Sequence, residues 1–143
     1  MANSTDTDTS DLGEAIREVD ASEEPARAKL RAIAGFIIDS YRHDPDLMKV
    51  IIVEVTRAAN SFGAAHLGKI TEAYTQISGI VAQAQRRGEF RDGVTAEFAA
   101  MAFYGAIEQV LTGWIFGLLE QSEESYERAK DYVVETICDG LEA

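Results

Sequence analysis

Between Phe98 and Leu119 the chain reads FAAMAFYGAIEQVLTGWIFGLL, with one charged residue, Glu108. The stretch is long enough to cross a bilayer, so a membrane span is the first reading to test. A carboxylate in the middle of a spanning helix costs about 2.5–3.5 kcal/mol on insertion scales, and no Lys or Arg directly flanks either end to set an orientation. Helical spacing places Phe103, Ile107, Leu111, Trp114 and Leu118 on apolar faces. Gly105, Gln109, Thr112, Gly113 and Gly117 make a line of low bulk along which another helix can approach closely. A helix buried on most sides within a helical protein or its dimer accounts for this composition at lower cost, and Thr95 caps it, so a helix is expected over Ala96–Leu119.

The flanking segments are helical too. Ser122-Glu123-Glu124 opens a last helix, Glu123–Leu141, in which Tyr126, Ala129, Val133, Ile137 and Leu141 recur at steps of three and four. Upstream, Arg86-Arg87-Gly88 closes a long helix, Gly63–Arg87, with cations at its negative end and a glycine for the left-handed residue that follows. Asp44-Pro45 opens a segment, Asp46–Ala59, that is apolar nearly all round. Its β-branched run would suit a strand, but the Asp-Pro start and the continuation through Arg57, Ala58 and Ala59 favour a buried helix. Ser22 is the expected N-cap of an amphipathic helix reaching about Arg42, and Ser10 that of a short leading helix, Asp11–Val19. Residues 1–9 are too polar to fold alone and are expected to be frayed or disordered, leaving one domain over 10–143. The predicted fold class is all-α: an antiparallel helical bundle of five main helices plus a short leading one.

The chain has 143 residues, 13 Lys and Arg against 25 Asp and Glu, and a net charge of −12. Phosphate binding needs a basic surface, so direct nucleic-acid binding by this chain is not expected. The lone Cys138 allows no internal disulfide, no Cys/His cluster suggests a metal, and no motif suggests a cofactor; a cytoplasmic protein is expected. P-loop, GxGxxG, HExxH and GxSxG patterns are missing, and no nucleophile is specified, so an enzyme is not expected.

Two polar residues stand out. Glu108 must be neutralised, paired or hydrogen-bonded in its apolar helix, with Tyr104 and Thr112 four residues to either side. His66 lies beside the apolar stripe of the long helix. A polar cluster that fixes packing and a core-edge histidine with one hydrogen bond are the plainer accounts; contact with a ligand is the sharper one. The last two helices carry more apolar surface than one subunit covers. A homodimer through Val110, Gly113, Trp114, Gly117, Tyr126, Ala129, Val133 and Ile137 is therefore expected.

The order of segments, with VEVTRAAN at 53–60, RRGEFRDG at 86–93 and FYGAIEQVLTGW at 103–114, resembles the C-terminal ligand-binding and dimerisation domain of TetR-family transcriptional regulators. The resemblance runs from about Glu23 to Leu141. Gly105, Ile107, Glu108 and Trp114 match a pattern of that family's fatty-acid-metabolism regulators. It implies a four-helix dimer interface from the last two helices and an effector pocket enclosed by the others, with long-chain acyl-CoA as the effector class. The family's basic helix-turn-helix module has no counterpart in these residues. An internal pocket is then expected between Asp46–Ala59, Gly63–Arg87 and Ala96–Leu119. Val50, Phe62, Ile70, Tyr74, Ile77, Phe103 and Ile107 would line it, and His66, Tyr104 and Glu108 would supply polar contacts. Arg57, Arg86, Arg87 and Arg91 are the candidate cations for a CoA phosphate. The alternative is a dimerisation module without ligand that pairs with a full-length relative.

Overall fold

The computed structural model describes the backbone of residues 4–46 and 62–141 and the side chains of 12–46 and 71–141. The described residues form five helices: α1 (Ser4–Ala21), α2 (Ala26–His43), α3 (Phe62–Arg86), α4 (Ala96–Ile115) and α5 (Glu123–Leu141). Backbone at Pro45 and Asp46 is helical again, as the Asp-Pro start predicts, and the rest of the expected helix Asp46–Ala59 lies outside the described residues. The fold is all-α. Its core joins Ile16 of α1, Leu30, Ile33, Ile37 and Ile38 of α2, Ile77, Ile80 and Val81 of α3, Phe103, Ile107, Leu111 and Trp114 of α4, and Val133, Val134 and Cys138 of α5.

Several boundaries differ from the sequence expectation, each for a local reason. The first helix starts at Ser4, so its polar residues extend the helix that was expected only from Asp11. Ser22 ends α1 instead of opening α2, since both its amide and its hydroxyl donate to the Val19 carbonyl, at 3.1 and 2.6 Å. The α2 helix opens at Pro25, which has no side-chain cap. Its first free amide, on Ala26, donates instead to Glu89 Oε1 at 3.0 Å, a carboxylate from the loop after α3. Helix α3 closes on Gly88, whose φ of 80° is the left-handed conformation read from Arg-Arg-Gly.

Helix α4 stops at Ile115, four residues short of the expected Leu119. Gly117 takes φ 73°, and the amides of Leu118 and Leu119 turn back to the Gly113 carbonyl at 2.7 and 3.1 Å. This glycine-centred C-cap satisfies carbonyls that a continuing helix would have bonded. It also lays the Leu119 side chain over Gly113, where a Cβ would lie 2.9 Å from Leu119 Cδ1. Low bulk at Gly113 therefore accommodates the chain's own fold-back.

Helices α2 and α5 run antiparallel, and a ladder of opposite charges marks their register. Arg27 at the start of α2 meets Asp139 near the end of α5 at 2.8 Å, Arg31 meets Asp131 at 2.7 Å, and Arg42 at the end of α2 meets Glu123 and Glu127 at the start of α5. Beneath the ladder the Lys130 stem packs over Gly35, while its ammonium reaches Asp39 and Glu127, each at 2.9 Å.

Candidate functional site

The seam between α3 and α4 gathers the polar residues singled out on the apolar helix. Tyr74 and Tyr104 meet edge to face with ring centroids 5.2 Å apart, an arrangement favoured by the aromatic quadrupole. Helical spacing puts Glu108 one turn beyond Tyr104, on the same flank of α4. All three side chains are half-buried. Burial pushes the Glu108 carboxyl above its ordinary pKa. The Tyr74 and Tyr104 phenols are pushed up as well, first by burial and then by the charge of Glu108. Thr112, also expected beside Glu108, instead donates its hydroxyl to the Glu108 backbone carbonyl at 2.9 Å.

Ile77, Phe103 and Ile107 are fully buried directly behind this seam and belong to the common core. Val50 lies outside the described residues, as do the side chains of Phe62, His66 and Ile70. Of the candidate phosphate-binding cations, Arg57 is likewise outside. Arg91 donates through Nε to the Gly140 carbonyl at 2.9 Å, serving the negative end of α5, and Arg87 pairs with Glu89 at 3.0 Å. Arg86 is exposed.

The residues expected at a dimer interface divide between two environments. Val110, Trp114, Ala129 and Val133 line a groove of about 400 Å³ between the end of α4 and the start of α5, rimmed by Leu119, Tyr132, Glu120, Glu124 and Arg128. Trp114 forms the floor of that groove, because it is 0% exposed. Its ring stacks on Tyr41 at 5.6 Å and meets Tyr126 edge-on at 4.7 Å, so Trp114 and Tyr126 serve the interior of their own subunit. Gly113 is covered by Leu119, Gly117 is the left-handed turn residue, and Ile137 is half-buried against the core. Among the described residues, the large apolar groups that face outward are Phe98 and Met101 early on α4, Phe116, Leu118 and Leu119 in the turn after it, and Tyr132 on α5.

A residue that sequence reasoning passed over ties the aromatic cluster together. Gln121 accepts from the hydroxyls of Tyr41 and Tyr126 at 3.1 and 3.0 Å and donates to the Trp114 carbonyl at 2.9 Å. Trp114 Nε1 then donates to Ser125 Oγ at 3.2 Å. The available signal was a pair of polar residues, Gln121 and Ser122, between the apolar α4 and the amphipathic α5, but Tyr41 lies 80 residues away from Gln121 and cannot be named from that signal.

A family model described as the tetracyclin repressor-like, C-terminal domain matches residues 26–137. The chain belongs to this family. No curated protein matches it in sequence. Among solved structures, the fatty acid degradation regulator FadR from Bacillus halodurans is similar in fold, with a TM-score of 0.81 and 15% identity over 96% of this chain and 72% of that one. The transcriptional regulator FadR from Bacillus subtilis, solved in complex with stearoyl-CoA, gives a TM-score of 0.77 and 17% identity over 96% of this chain and 74% of that one. At such identities the likeness speaks to the TetR C-terminal fold. No described helix is long and apolar enough to cross a membrane.

Proposed function

We propose that this chain is the effector-sensing and dimerisation domain of a TetR-like transcriptional regulator, binding a hydrophobic small molecule between α3, α4 and the segment 46–59. The observation that carries the reading is the Tyr74–Tyr104–Glu108 seam. A carboxyl group and two phenols are retained at the edge of an apolar core, where they weaken packing unless something polar meets them. Apolar walls with a few convergent polar groups are the usual make-up of a small-molecule site. A fatty acyl-CoA is the first class to test, because the Bacillus subtilis regulator of similar fold was solved with stearoyl-CoA. Val50, Phe62, His66, Ile70, Tyr74, Ile77, Phe103, Tyr104, Ile107 and Glu108 are the proposed lining.

The dimer is proposed through the outer faces of α4 and α5. Phe116 at 64% and Leu118 at 78% exposure follow the α4 end of the groove lined by Val110 and Val133, and this apolar surface supports a two-fold contact between like faces. Sedimentation should give a dimer at micromolar concentration, and Leu118→Glu should shift it towards monomer. For the effector, a ligand should raise the melting temperature with its free concentration over its Kd. Mass spectrometry of small molecules released from purified protein, followed by thermal shift with palmitoyl-CoA and stearoyl-CoA, is the direct test. A dimer that releases and responds to no small molecule would instead support the ligand-free dimerisation module.

A further inference from the structure

The turn RRGEFRDG at 86–93 ties the ends of three helices together. It is fixed to α3 by the amides of Glu89 and Phe90, which donate to the Ala84 carbonyl at 2.9 and 3.3 Å, and Phe90 is buried in the core. Arg91 holds the last carbonyls of α5, through its amide to Leu141 at 2.7 Å and through Nε to Gly140 at 2.9 Å. Glu89 holds the start of α2: with Oε2 steadied by Arg87, its Oε1 accepts from the Ala26 amide. The peptide unit that carries this amide also carries the Pro25 carbonyl, which accepts from the Lys29 amide at 3.0 Å. Lys29 then reaches across to α1. Its side chain is only 3% exposed, and its ammonium donates to the Asp20 carbonyl at 2.9 Å and lies 3.7 Å from the Asp20 carboxylate. A line of hydrogen bonds therefore runs from the turn after α3, through the first turn of α2, to the last turn of α1.

We propose that α1 docks on and undocks from the other helices as a unit, and that Glu89 is the positioning residue that sets this equilibrium, acting through Lys29. Little else holds α1. Among its described side chains Ile16 alone is fully buried, Leu12 and Val19 are half-buried, and Arg17 meets Glu72 at 3.7 Å with both side chains more than half exposed. Elements with few buried apolar contacts open first. A carboxylate favours the positive end of α2, and hydrogen bonds in series polarise one another, so loss of the acid weakens the whole line. When α1 leaves, water replaces the Asp20 carbonyl at the Lys29 ammonium, so the bond is worth little net and the two states lie close in free energy. The device works from the turn that closes α3 and stands whether or not an effector binds.

Amide hydrogen exchange on the full chain tests it, read at residues 12–21 of α1, at Ala26, and at the core amides of Phe103 and Ile107. Glu89→Ala should speed exchange at Ala26 and throughout α1 by about fivefold, the size of one lost N-terminal cap, and leave Phe103 and Ile107 at the parent rate. Glu89→Gln, which keeps an acceptor in place, should retain most of the protection. Lys29→Met should release α1 while Ala26 stays protected, and adding Glu89→Ala to it should then speed Ala26 but α1 no further. Arg91→Ala should leave α1 unchanged, because Arg91 serves α5. Acceleration at Ala26 alone in Glu89→Ala, equal acceleration at Phe103 and Ile107, no release of α1 in Lys29→Met, or factors at α1 that multiply in the double variant would each overturn the proposal.

Discussion

Along the α2–α5 seam, Arg27, Arg31, Arg42 and Lys130 each meet an acid of the facing or the same helix, and the aromatic trio beneath them has its hydroxyls and indole N–H bonded. Along the α3–α4 seam, a half-buried carboxyl group and two phenols share a flank, with the phenol rings packed edge to face. Both seams hold polar groups against an apolar core. In the first they are closed on one another, which fixes register and orientation; in the second no such closure is made among the described residues. A polar network satisfied from within rigidifies a fold, while polar groups left incomplete at the edge of a core weaken it.

The largest effect should come from the closed side. Trp114→Ala removes a fully buried indole that touches both Tyr41 and Tyr126, so it should cost about 3–5 kcal/mol in urea unfolding. Tyr104→Ala, on the half-buried seam, should cost clearly less. Similar losses at the two positions would abolish the contrast.

Next in size is Gln121. Gln121→Leu leaves two tyrosine hydroxyls and the Trp114 carbonyl without their shared partner, but the site borders solvent and water can replace part of what is lost. A cost of about 1 kcal/mol is expected. In a double-mutant cycle with Tyr126→Phe, the two losses should be less than additive, because the Tyr126 hydroxyl bonds Gln121.

Much of this architecture was legible in the sequence. Arg86-Arg87-Gly88 marked the end of α3, Thr95 the start of α4, and the three- and four-residue steps from Tyr126 to Leu141 the buried side of α5, because all three depend on neighbours within one or two turns. The misreadings share a cause too. Ser22 looks like an N-cap until the Glu89 carboxylate, 63 residues away, is seen to serve α2 instead. Leu119 likewise folds back over Gly113, which the apolar reading of a helix to Leu119 does not foresee. The stacking of Tyr41 of α2 on Trp114 comes through tertiary packing, which spacing along one helix cannot reveal. For the candidate site, Glu108 and Tyr104 were legible because a carboxylate in an apolar helix is costly, and the ring contact from Tyr74 had to wait for the structure.

The two seams should also answer pH with opposite signs. Burial raises the Glu108 pKa in the folded chain, so the folded state holds its proton to higher pH than the unfolded state. Its contribution is therefore fully favourable below the unfolded carboxylate pKa and declines as pH rises through the folded value. Glu108→Gln should consequently be more stable than the parent at pH 7, with the gain vanishing towards about pH 4. Glu127 behaves in the reverse sense. Its pKa is lowered chiefly by the hydrogen bond from Lys130, so its contribution is present above the ordinary carboxylate value and lost as pH falls through the folded one. Parent and Glu127→Gln should converge in acid and separate at neutral pH, with the parent the more stable. Chemical denaturation from pH 3 to 8 checks both signs, and equal slopes would remove the electrostatic distinction between the seams.

The smallest effect belongs to the solvated middle rung of the ladder. Arg31 and Asp131 meet at 2.7 Å, but about half of each side chain faces solvent, at 47% and 51% exposure. Two solvated charges gain little by meeting, since their attraction is screened and two long side chains must be held in one geometry. Arg31→Ala should therefore change stability by at most about 1 kcal/mol, and 1 M salt should erase most of the difference. Lys130 lies on the same seam, yet its ammonium is almost covered and its stem fills the space over Gly35. Lys130→Ala should cost more than Arg31→Ala and keep its cost in salt, because it removes packing over Gly35 as well as one of the two cations that Asp39 and Glu127 share. If the two substitutions were equally mild and equally salt-sensitive, the α2–α5 seam would be held by its apolar contacts alone, and its ladder would be surface decoration.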